Sequence, residues 1–196
     1  QLSPLNGGPP SAVLRSFSPG TYHARVAGAN GAGGIVLLEI YDTDSTPRLV
    51  YVGTHAFAGG GNKVLVQGFA LAGATPGRSY LIRALGPTLG AAGALADPEL
   101  RVFNSANIQV AANDNWGGDS ALATLAASVG AMPLAAASKD AALAFAPAAG
   151  GAYTIQVGGV GGTSGATLVE IFAADAQRAT TVAAAIEVPP QGATLL

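Results

Sequence analysis

The chain contains no cysteine. Disulfides, thiolate nucleophiles and cysteine-type zinc sites are therefore excluded together. Charge is scarce as well: 10% of the 196 residues are charged, against roughly 25% in an ordinary soluble domain. The formal net charge is −2 and no Lys/Arg run is present, which argues against nucleic acid as a partner. No apolar run reaches the ~18 residues a membrane-spanning helix needs. Thr180–Val188, the most apolar stretch near the end, is short and carries Glu187. Histidine is limited to His23 and His55. Neither is accompanied by a serine-containing elbow motif, so nucleophilic catalysis has no base beside a nucleophile, and no enzyme is expected.

What is present is apolar: 49% of residues, with a mean hydropathy of +0.41. A surface with so few charges stays dispersed poorly. It is expected to be covered by partners or masked by glycans. No Asn-X-Ser/Thr sequon occurs, so glycans would be O-linked, with Thr46 and Thr75 as candidates. The chain begins with Gln1, which fits either a mature exported product or an excerpt of a longer chain. Composition favours an extracellular or cell-surface protein.

An internal repeat organises the chain. Residues 20–41, GTYHARVAGANGAGGIVLLEIY, align without a gap with 151–172, GAYTIQVGGVGGTSGATLVEIF, at an offset of 131. Nine of 22 positions are identical, and five of those are not glycine: Tyr22/Tyr153, Val26/Val157, Leu37/Leu168, Glu39/Glu170 and Ile40/Ile171. The similarity continues, with Leu49–Phe57 falling opposite Thr180–Val188. A unit of ~130 residues is domain-sized, well beyond a solenoid repeat of ~20–50. The expected division is a partial repeat at 1–57, a full repeat at 58–179, and at 180–196 a terminal strand or extension that either starts a further repeat or serves as a donor strand.

Alternation in Tyr22–Val26 and in Tyr153–Val157 predicts half-buried strands. Glycine-rich turns follow, and then the return strands Ile35–Tyr41 and Ala166–Phe172. Further strands are predicted at Leu49–Phe57, Lys63–Leu71, Ser79–Leu85, Glu99–Phe103, Ile108–Ala112 and Ala141–Phe145. Gly59–Gly61 reads as a turn, since a strand rather than a helix follows it. Leu122, Leu125 and Val129 have helical spacing between a cap residue, Asp119, and a stop, Gly130, predicting one short helix over 119–129. The fold class expected is all-β, an antiparallel sandwich or jelly-roll-like arrangement with that one helix crossing between sheets.

The runs Lys63-Val-Leu-Val-Gln-Gly-Phe69, Tyr80-Leu-Ile-Arg-Ala-Leu-Gly-Pro-Thr-Leu89, Asn113-Asp-Asn-Trp116, Ser138-Lys-Asp-Ala-Ala-Leu143 and Leu168-Val-Glu-Ile171 resemble a domain repeated in large bacterial secreted surface proteins. More loosely they are similar to pre-peptidase C-terminal β-sandwich domains. The resemblance covers 62–173, with 11–42 as a partial copy. It implies export and an accessory or structural task, without a catalytic role.

Few residues are candidates for a site. Asn113, Asp114, Asn115 and Asp119 offer hard oxygen ligands that suit calcium, though their spacing is not that of an EF-hand and such residues also build turns and caps. Trp116, the sole tryptophan, either stacks on a sugar ring or packs across a sheet. Glu39 and Glu170 each sit inside an apolar strand, where a carboxylate is solvated or paired. Arg83, in Leu-Ile-Arg-Ala-Leu, is the partner expected for one of them, and a neighbouring copy would supply the other. The expected function is that of a subunit of a β-rich surface fibre or layer, joined head-to-tail to copies of itself. The alternative is a carbohydrate- or calcium-binding adhesive module.

Overall fold

The computed structural model describes residues 14–41, 50–71 and 79–174, and the backbone of a strand at 181–188. The glycan candidates Thr46 and Thr75, the residues before 14 and those after 188 lie outside the described residues.

Ten strands and one α-helix are present among the described residues. In chain order they are β1 (Gly34–Tyr41), β2 (Tyr51–Ala58), β3 (Leu65–Leu71), β4 (Tyr80–Leu85), β5 (Pro98–Asn104), β6 (Gln109–Asn113), α1 (Ser120–Ser128), β7 (Ala141–Phe145), β8 (Gly151–Gly159), β9 (Gly165–Ala173) and β10 (Thr181–Val188). All pairings between them are antiparallel. One layer runs β6-β5-β8-β3 and the other β2-β9-β4-β7. The fold is an all-β sandwich.

The core lies between the layers because alternate residues of each strand are apolar. Leu65, Phe69, Leu100, Val102, Ile155 and Val157 come from the first layer, and Ala56, Tyr80, Ile82, Leu143, Val169 and Ile171 from the second. Phe69 stacks on Tyr153 at 5.6 Å between centroids and meets Phe145 edge-on at 6.2 Å. Such aromatic pairs contribute about 0.5–1.5 kcal/mol each beyond area burial.

Helix α1 joins β6 in one layer to β7 in the other, and covers the outer face of the second. Leu122, Leu125, Ala126 and Val129 pack there against Leu81 and Phe172. Asp119 caps the helix, its Oδ1 accepting from the amides of Ala121 (2.7 Å) and Leu122 (3.1 Å). Gly130, with φ +72°, reverses the chain at the other end, and the Ala131 amide donates to the Ala126 carbonyl at 2.9 Å.

One expected strand is absent. Residues 22–26 are exposed and irregular, although they alternate as Tyr153–Val157 do. The local conformation still repeats in part: the Tyr22 hydroxyl donates to the carbonyl of Ser18, and that of Tyr153 to the carbonyl of Ala149, each four residues back. The difference is partners. Strand β8 lies between β3 and β5, whereas 22–26 has no ladder among the described residues. A lone strand does not persist in water.

Candidate assembly interface

The glycine-rich turns that precede β1 and β9 have the same shape. Asn30 (φ +53°) and Gly31 (φ +77°) match Gly161 (φ +65°) and Gly162 (φ +78°). Each turn closes on a glycine. A Cβ on Gly28 would meet the Ala32 carbonyl oxygen at 1.8 Å, and one on its counterpart Gly159 would meet that of Thr163 at 2.2 Å. No side chain fits at either place.

Beyond the turns, the two copies exchange partners. Strand β9 pairs with β2 over eight residues, from Gly165↔Ala58 to Phe172↔Tyr51. Strand β1 pairs with β10 over eight residues, from Gly34↔Val188 to Tyr41↔Thr181. These ladders are one pattern made twice: β1 maps onto β9 at an offset of 131, and β2 onto β10 at 130. Each return strand therefore pairs with the strand that follows the other copy. Strand β10 also adds to the free edge of β3, from Thr181↔Ala70 to Ala185↔Val66, and meets β2 at the single pair Glu187↔Phe57. The sequence division at 57/58 falls one residue before the end of β2, and β2 is paired along its whole length with β9 of the sandwich. The body that closes first strand on last strand is 50–174.

The outer face of the second layer carries a buried charge cluster. Arg83 and Glu170 stand directly opposite each other in the β4·β9 ladder. Arg83 Nε donates to Glu170 Oε2 at 2.9 Å, and Arg83 Nη2 donates to the same oxygen. Arg83 Nη1 donates to the Met132 carbonyl at 2.5 Å, and the guanidinium lies 5.5 Å from the Phe172 ring centroid. The other carboxylate oxygen accepts from the Tyr51 hydroxyl at 3.1 Å. Burial first, and then the Glu170 charge and hydrogen bond, push the Tyr51 phenol up to about 12. Relative exposure is 1% for Arg83 and 6% for Glu170. Glu39, the counterpart of Glu170 on β1, accepts from the Tyr41 hydroxyl at 3.0 Å.

The remaining candidates hold loops together. Trp116 is buried, and its Nε1 donates to the Ala135 carbonyl at 3.0 Å, so its ring is not presented to a sugar. Asn113 Oδ1 accepts from the Ala142 amide and its Nδ2 donates to the Asn115 carbonyl, both at 3.0 Å. With Asp119 Oδ1 engaged in the helix cap, three of the loop's four candidate ligands have structural duties through side chain or carbonyl; Asp114 is in the same loop. Among the described residues no group of three or more His, Asp or Glu converges as a metal site. His23 lies in the exposed segment 22–26. His55 lies on β2 opposite Leu168, where burial lowers its pKa.

Asp140 is the residue that sequence reasoning missed. It is fully buried. Its Oδ1 accepts from the amides of Gly86 (2.8 Å) and Thr88 (3.3 Å), and its Oδ2 from the hydroxyls of Thr88 and Ser138. Its carbonyl takes the Trp116 amide at 2.9 Å. Three separated motifs, around Gly86-Pro87-Thr88, Trp116 and Ser138-Lys139-Asp140, thus meet at one residue, the first and last at its carboxylate and Trp116 at its carbonyl.

No family model, curated protein or solved structure matches the chain.

Proposed function

We propose that the chain is a non-catalytic, extracellular structural protein: a subunit of a β-rich surface fibre or layer that associates with copies of itself. The observation that carries this reading is the reciprocal exchange between the repeats, in which each return strand takes the strand following the other copy. An exchange that works between two copies in one chain works by the same register between chains. Low charge and high apolar content are consistent with a surface that association covers. The resemblance of residues 62–173 to a domain repeated in bacterial secreted surface proteins supports the same placement. Sugar or calcium recognition gains no support from the positions of Trp116 and Asn113. The test is negative-stain microscopy of purified full-length chain together with light scattering over a concentration series. Fibres or sheets that grow with concentration are expected. A strict monomer at every concentration overturns the reading.

A further inference from the structure

Within that self-association reading, we infer that β1 is the exchanged element: β1 of one copy pairs with β10 of a second copy, while β10 stays on β3 of its own chain. Four observations converge on this. Among the described residues β1 is paired along one edge only, with β10, whereas β10 is held from both sides.

The apolar residues of β1 are those of a sandwich strand that has lost its sandwich. Ile171 of β9 is 3% exposed, and its counterpart Ile40 is 41% exposed. Ile35 of β1 stands 82% exposed. A strand with that pattern is built to be covered from both faces.

The glycines point the same way. A Cβ on Gly165 would meet the backbone of residues 93–95 at 2.6–2.7 Å, so the body presses on β9 at that point. Its twin Gly34 has nothing within 4 Å. The sequence keeps the clearance, while among the described residues no element uses it at β1.

Finally, the ladder leaves reach for exchange. Eight residues, 42–49, separate the end of β1 from the body, a span of at most about 30 Å. A β1 seated on a second copy therefore draws its own body close beside that copy. The ladder is the same within or between chains, so concentration decides between them. The contact is head-to-tail and does not close.

Cysteine cross-linking reads the partner directly, since the chain has no cysteine of its own. Leu38 faces Ala184, and Leu37 faces Ala185. Adjacent pairs alternate between the two antiparallel spacings, both within disulfide reach. Chains bearing only Leu38→Cys are mixed with chains bearing only Ala184→Cys, and Leu37→Cys with Ala185→Cys, then oxidised. Covalent dimers that form in the mixtures and not from either variant alone are expected. The double variants should give a ladder of multimers. Double variants that close only on themselves, with unlinked mixtures, overturn the inference, as does failure of every pair to link in either way. Filaments built from internally closed chains would uphold the fibre reading and sink the exchange. Cross-linked dimers without filaments would do the reverse.

Discussion

Arg83 and Glu170 are neighbours twice over: directly opposite in the β4·β9 ladder and joined through their side chains. Such a pair contributes little net stability, because desolvating two charges offsets their attraction. Removing one partner is another matter. Arg83→Met is expected to cost about 3–5 kcal/mol, since it leaves a buried carboxylate uncompensated. The double variant Arg83→Met/Glu170→Leu should recover most of that loss. Urea unfolding of the three proteins checks it, and a double variant no more stable than the single one refutes the account.

Tyr51 should titrate late. Its phenol is pushed up to about 12, against about 10 in the unfolded chain. A group with a raised folded pKa adds stability that is complete below the unfolded value and is lost as pH rises through the folded one. Stability should therefore fall between about pH 10 and 12. Tyr51→Phe should flatten that part of the profile and remove a tyrosinate step near pH 12 from an ultraviolet titration.

Gly34 and Gly165 are identical in sequence and opposite in surroundings. Gly165→Ala forces backbone against backbone and should cost about 2–3 kcal/mol, as overpacking does. Gly34→Ala in the dispersed chain should stay within about 0.5 kcal/mol, as open positions do. Thermal melts of the two variants compare them directly. Equal losses would mean that Gly34 is pressed as its twin is.

Asp140→Ala strands the Gly86 and Thr88 amides and the Thr88 and Ser138 hydroxyls. A loss of at least about 3 kcal/mol is expected from several buried groups left unpaired. Trp116 should report it: its buried indole emits at short wavelength in the wild type, and the emission should shift red in the variant. Adding calcium, or removing it with a chelator, should leave both that emission and the melting temperature unchanged.

How far the sequence speaks depends on how local each signal is. Alternation in Tyr153–Val157 marks a strand because one face of it must be dry, and the helix shows in Asp119, Gly130 and the spacing between them. The Arg83 pairing was legible by type, since an arginine and a glutamate inside apolar strands have few other escapes. Alternation tells which face is buried but not which neighbour a strand takes, so the exchange of β2 and β10 was invisible until the ladders were laid out. For the same reason Tyr22–Val26 read as a strand: its pattern is right, and among the described residues it has no partner. Asp140 was silent because three of its donors, the Gly86 amide and the Thr88 amide and hydroxyl, lie 54 and 52 residues away, and Ser138 two residues before it gives no sign that the aspartate is buried. Gln67 is buried in β3 among Leu65, Phe69 and Leu71 with neither amide atom hydrogen-bonded, and we have no physical account of it.

The ladder of β2 and β9 has a mechanical corollary. The chain comes into the body at Tyr51 and leaves it just after Phe172, and those two residues face each other at one end of the ladder. Tyr41 and Thr181, through which β1 and β10 connect to the rest, face each other likewise. Tension drawn through either pair opens the hydrogen bonds in succession, like the teeth of a zip, instead of straining all eight rungs together. Joints of this kind yield gradually under modest pull and reseal in register when it is released.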